Sequence, residues 1–80
     1  MDLWRWLSLP AVRQRTDGVR VWCWRGDSLV PIWVAQWDPA DDTEAWDGSG
    51  DGPESALADL WRTLLADPPQ GLADTLAEGE

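Results

Sequence analysis

The sequence predicts an α+β fold, a small antiparallel sheet of about three strands with one amphipathic helix packed on one face. Two stretches of strand period, 19–25 and 29–37, lie in the first half, and one stretch of helical period follows Pro53 in the second. Eight tryptophans among 80 residues, with no Phe or Tyr, provide the large side chains of a core. Each buried Trp hides roughly 150–250 Å² of surface. At this length a single core leaves only about 3–5 kcal/mol of net stability, so the chain reads as one domain with little margin for a strained active site.

The N-terminal run Leu3-Trp4-Arg5-Trp6-Leu7-Ser8-Leu9 alternates, with Trp4 and Trp6 opposite Leu3, Leu7 and Leu9, until Pro10 interrupts it. That period reads as a strand. Residues 11–17 form a polar, arginine-bearing connection, and Asp17-Gly18 reads as the turn into a central hairpin. There, Val19, Val21 and Cys23 oppose Arg20, Trp22 and Trp24. The tetrapeptide Arg25-Gly26-Asp27-Ser28 favours a turn, and a loop of either Gly26-Asp27 or the whole tetrapeptide pairs Trp24 with Leu29. Continuing that register sets Cys23 against Val30, Val21 against Ile32 and Val19 against Val34, a small and β-branched face suited to a core.

The opposite face gathers Trp22, Trp24, Trp33 and Trp37 with Arg20, Leu29 and Pro31, and it pairs Arg20 with Trp33 as a cation–π contact. A ribbon apolar on both faces needs cover on each. Packing is expected to bury Trp22, Trp24, Trp61 and either Trp33 or Trp37. Should the N-terminal segment leave the Trp face uncovered, the Trp and Arg patch has the composition of an interface hot spot, or of a homodimer seam.

Residues 38–52 combine six carboxylates with Pro39, Gly48, Gly50 and Gly52, the composition of an acidic, Gly-rich loop in which Trp46 is the only large apolar anchor. Pro53 then suits the first position of a helix over 53–67, whose Leu57, Leu60, Trp61, Leu64 and Leu65 form one stripe. Pro68 and Pro69 end it. The stripe is expected to cover the face made by Val19, Val21, Ile32 and Val34. Residues 68–80 read as an acidic tail or a short helix anchored by Leu72 and Leu76.

Composition removes several function classes. There is no His and one Cys, so histidine-dependent triads and thiolate zinc sites lack their ligands, and no intrachain disulfide forms. No catalytic residue, resident metal or cofactor is expected. No apolar stretch is long enough to span a bilayer and no basic segment precedes a signal-like core, so the expected location is the cytoplasm of a bacterial cell. The absence of Phe, Tyr, Asn and Lys, with single Met and Ile residues, points to a GC-rich genome of a bacterium or its phage.

Charge is strongly segregated. The first 37 residues carry five arginines against Asp2, Asp17 and Asp27, whereas twelve of the fifteen acids follow Trp37, where Arg62 is the only base; these halves of +2 and −11 make the net charge of −9. Such a surface repels phosphates and anionic lipid, so neither nucleic acid nor membrane is the expected direct partner. It attracts a basic protein groove, because carboxylates spread over a loop and a helix approximate a line of phosphates. The candidate partner-binding residues are Asp38, Asp41, Asp42, Glu44, Asp47, Asp51, Glu54 and Asp59. A solvated loop that aids solubility is the plainer reading.

Asp47-Gly48-Ser49-Gly50-Asp51-Gly52 resembles the first half of an EF-hand calcium loop. Its second half departs, with Pro53 at the seventh position and Ala58 where the family places a bidentate glutamate. A Gly-rich connector is the favoured reading.

In size, charge and inferred origin the whole chain is similar to the small acidic anti-CRISPR proteins of phages and mobile elements, particularly those acting on type I effector complexes. The resemblance rests on no shared motif and transfers no residue. It implies a non-enzymatic inhibitor that binds an effector subunit and blocks target-DNA recognition, its carboxylates standing in for phosphates; the chain itself is expected to be a monomer or homodimer. An antitoxin or immunity protein masking a nuclease, and a weak calcium-binding or structural module, are the alternatives.

Overall fold

The computed structural model describes residues 2–24, 31–40, 45–69 and 71–78. The chain begins with two short helices, α1 (Leu3–Leu7) and α2 (Pro10–Arg13). Asp2 caps α1 by accepting the Arg5 backbone N–H at 2.9 Å, and Pro10 opens α2, where a missing N–H costs nothing. This corrects the strand expected over residues 3–9. Alternation over so few residues is also compatible with one helical turn, and burial follows the helical spacing: Leu3 and Trp6 are buried while Trp4 is exposed.

Three strands follow, β1 (Thr16–Trp24), β2 (Ile32–Pro39) and β3 (Trp46–Gly50), as an antiparallel meander with β2 in the centre. The third strand of the predicted sheet therefore comes from within 38–52 and not from the N-terminus, and the stretch expected to be a loop contributes an edge strand. Asp17-Gly18 is not a turn. The register shifts between Thr16 and Gly18, a bulge in which Gly18 takes a φ of +114° that other residues rarely adopt.

The β1–β2 register also differs from expectation. Trp24 lies opposite Ile32, Cys23 opposite Trp33, Val21 opposite Ala35 and Val19 opposite Trp37. The predicted partners Leu29 and Val30, and the turn at 25–28, lie outside the described residues. The displacement is an odd number of positions, so it exchanges the two faces of β2. Ala35 and Trp37 join Val19 and Val21, whereas Ile32 and Val34 move to the other side with Trp22 and Trp24. Packing explains the choice: Trp37 meets Trp6 and Trp46 at ring-centroid distances of 5.6 and 5.4 Å, a cluster the expected register would have left on the wrong face.

Helix α3 (Pro53–Ala66) covers the Trp37 face. Its buried line is Ala56, Leu60 and Leu64, flanked by half-buried Leu57 and Trp61, while Leu65 of the expected stripe is exposed. The line lies directly on β3. A Cβ at Gly48 would collide with the backbone of Leu60, and one at Gly50 with Ser55 and Ala56, so these glycines admit the helix rather than loosen a loop. The stripe consequently covers Val19, Ala35, Trp37, Gly48 and Gly50, not the expected Ile32 and Val34. Finally α4 (Ala73–Glu78) docks through Leu72 and Leu76, and Thr75 Oγ1 accepts the Trp6 indole N–H at 2.9 Å. All the core contacts lie on one side of the sheet. The shortest dimension of the molecule, 19 Å, accommodates one sheet and one helical layer.

Candidate interaction surface

The strand register assigns each side chain to a face. On the helical side lie Val19, Val21, Cys23, Trp33, Ala35, Trp37, Trp46, Gly48 and Gly50, of which Val21 and Cys23 extend past the helices and are exposed. Away from them point Arg20, Trp22 and Trp24 on β1, Ile32, Val34, Gln36 and Asp38 on β2, and Asp47 and Ser49 on β3. Among the described residues no element lies on this second face. Trp22 is 37% exposed and Trp24 56%, and neither Ile32 nor Val34 joins the core. These are corrections to the expected core: Trp22 and Trp24 lie outside it and Trp6 is fully buried in it, while Trp37, one of the two expected alternatives, is buried and Trp61 is half-buried.

The open face is graded across the sheet. In one row Arg20, Gln36 and Asp47 lie side by side; in the next come Trp22, Val34 and Ser49; Trp24 and Ile32 make the third. Bulk and positive charge are therefore on β1, branched aliphatic residues are central, and a small residue and negative charge are on β3. Arg20 stands over the Trp22 ring at 5.7 Å rather than over the expected Trp33, and its guanidinium grips Asp38 through Nε at 2.8 Å and Nη2 at 3.2 Å. Gln36 donates a further bond to Asp38 at 2.9 Å.

The eight candidate carboxylates do not form one surface. Asp38 is partly buried and neutralised by Arg20. Asp59 accepts the Ser49 backbone N–H at 3.0 Å and pairs with Arg62 at 3.1 Å, so it fastens α3 to the outer edge of β3. Asp41, Asp42 and Glu44 lie outside the described residues. Asp47, Asp51 and Glu54 are exposed around the β3–α3 connection, and no described ion pair includes them. Asp51 accepts the Ser55 hydroxyl at 3.1 Å. Asp67 and Asp74, absent from the sequence-derived set, add exposed carboxylates farther along the chain.

The calcium-loop resemblance meets a different backbone. Asp47 and Ser49 sit in an extended strand paired with Gln36 and Val34, not in a loop that turns its oxygens inward, and the described residues contain no group of three or more potential metal ligands. No described helix is long and apolar enough to cross a membrane. A shallow groove lined by Pro10, Arg13 and Gln14 offers one guanidinium and one amide.

Sequence reasoning captured the apolar character of both ribbon faces but assigned Ile32 and Val34 to the wrong one. Its signal for the open face was the shortage of covering elements: one long amphipathic helix cannot cover two sides of a sheet. No protein-family model, curated protein or solved structure matches this chain.

Proposed function

We propose that this protein is a non-enzymatic inhibitor that binds a bacterial nucleic-acid-binding protein and occupies its basic surface, as an anti-CRISPR protein does when it blocks target-DNA recognition by a type I effector complex. The observation that carries the reading is the exposed trio Asp47, Asp51 and Glu54 at the β3–α3 connection, without a cation of its own among the described residues, on a chain of net charge −9. Carboxylates without an ion pair at a strand–helix junction keep their charge for a partner. The partner is a protein with a groove built for phosphates, and the location is the bacterial cytoplasm.

The test is capture of a type I effector complex by the tagged full chain, at low and moderate salt, with and without competing target DNA. Capture that weakens with salt and with DNA is expected. The doubly reversed variant Asp51→Lys with Glu54→Lys, folded by circular dichroism, should reduce capture at least about tenfold through slower association. Undiminished capture by that variant would end the mimicry reading. Capture of a toxic nuclease in place of the effector would move the protein to the antitoxin class.

A further inference from the structure

We infer that the open face of the sheet is the seam of a homodimer, in which two copies pack face to face about a two-fold axis parallel to the strands. The inference rests on how the face matches itself; Asp47 takes part in both readings, so a dimer withdraws that carboxylate from a basic partner and leaves Asp51 and Glu54. Rotation about such an axis keeps each row of side chains in place and exchanges the two edges of the sheet, so β1 of one copy lies over β3 of the other and β2 lies over β2. Packed sheets keep their strands within about 30° of each other and stand about 10 Å apart, so residues in one row meet across the seam.

The pairs that result are complementary in charge and in size. Arg20 meets Asp47 of the second copy, twice over by symmetry. Trp22, the bulky residue of its row, lies over the small Ser49, while Val34 meets Val34 and Ile32 meets Ile32 along the axis. Gln36 meets Gln36, an amide pair able to donate and accept in both directions. Asp38 is the one like-charged pair on the axis, and its carboxylate is already held by Arg20 and Gln36 in its own chain. The same rotation about an axis perpendicular to the strands would not align these rows. Arg20 reaches Asp47 of the second copy while its Nε and Nη2 hold Asp38 in its own chain, so the size match of Trp22 over Ser49 and the apolar Val34 and Ile32 pairs carry the seam together with this shared guanidinium.

Three strands about 4.8 Å apart and five residues of about 3.3 Å each give a footprint of roughly 250 Å² in projection. That places the association at the small, weak end of interfaces, so self-association is expected only toward the top of the concentration range. Two chains of net charge −9 also repel, so added salt should tighten the dimer, opposite to its effect on a basic partner. Asp51 and Glu54 lie beyond β3, so loss of partner capture and loss of dimerisation can be told apart.

The experiment is sedimentation of the full chain from about 1 to 200 μM. The expected species at high concentration has twice the 9.0 kDa mass of the chain. Val34→Asp should remain folded and monomeric throughout. Arg20→Asp and Asp47→Arg should each weaken self-association at least about tenfold, and an equimolar mixture of the two should recover it, because opposite charges then meet at both contacts of that row. A chain that stays monomeric at the highest concentration overturns the inference. So does a Val34→Asp variant that dimerises as before, or a mixture that associates no better than its components.

Discussion

The two faces of the sheet are both apolar, yet only one is covered by described helices, and there the cover stops short of Val21 and Cys23 on β1. On the closed face large and small alternate across the strands: Trp37 is buried with Trp6 and Trp46 around it, and Gly48 and Gly50 create the hollow that receives Ala56 and Leu60. On the open face the same alternation exists, with Trp22 beside Val34 and Ser49, but no described element fills it. The difference teaches that aliphatic and aromatic content does not decide which face becomes core. Close backbone approach does, and glycine at the right row of an edge strand permits it.

The largest break in that comparison is Gly48→Val. With its Cβ inside the Leu60 backbone, the helix must lift from β3 and uncover Leu60 and Leu64. A loss of at least about 4 kcal/mol is expected, comparable to the whole net stability of a domain this size. Circular dichroism at 25 °C should find the variant largely unfolded. A cooperative thermal transition near that of the parent would mean that the helix does not rest on this glycine. Ser49→Val, one residue along on the open face, should leave the fold intact.

The next contrast is between a buried aliphatic residue on one side and a half-exposed one on the other. Leu64→Ala removes a fully buried side chain and should cost about 2–5 kcal/mol, whereas Val34→Ala, outside the core, should cost below about 1 kcal/mol when measured in dilute monomer. Equal costs in urea titration would show that the open face is covered in the free chain.

How much of this was legible in the sequence follows the same division. Helix α3 was legible because Pro53 and the recurring leucines state both its start and its period. The content of the sheet was legible, but its third strand was not: Trp46-Asp-Gly-Ser-Gly50 has the composition of a turn, and it pairs only because α3 requires a strand with no side chains on that face. The β1–β2 register was misread because Ile32 and Val34 look more like core than Ala35 does, whereas the position of Trp37 under Trp6 governs the choice. Among the candidate site residues, a count of carboxylates could identify a charged half but not separate Asp38 and Asp59, which are engaged within the chain, from Asp47, Asp51 and Glu54. That separation depends on Arg20 and Ser49 lying across strands and elements, which only the register reveals.

Within the closed face the two fully buried tryptophans sharpen the picture further. The Trp6 indole N–H donates to Thr75, while the Trp37 Nε1 has no hydrogen-bond partner among the described residues. Both variants to Phe lose similar volume, but Trp6→Phe also breaks a bond and leaves the Thr75 hydroxyl with its donation to Leu72 alone. Trp37→Phe instead removes a buried donor whose isolation is already costly. Trp6→Phe is therefore expected to be more destabilising by about 1 kcal/mol in matched denaturant titrations. The reverse order would show that the Trp37 indole is satisfied in solution.

The smallest expected effect concerns the two edges rather than the two faces. The β3 edge is protected: Asp59 reaches from α3 to accept the Ser49 backbone N–H, and Arg62 holds the same carboxylate by its other oxygen. On β1 Arg20 is instead turned inward to Asp38. Asp59→Ala should cost only about 0.5–1 kcal/mol, since the bond is exposed and water replaces the acceptor. Its signature is local. Amide exchange at Ser49 should accelerate strongly, with little change at the central β2 amides, because the edge opens without global unfolding. Unchanged exchange at Ser49 would mean that contact with α3 alone shields this edge. Asp59 would then return to the exposed carboxylates a basic partner could engage, whereas the expected acceleration fixes it as the fastener that makes β3 a usable strand despite its glycines.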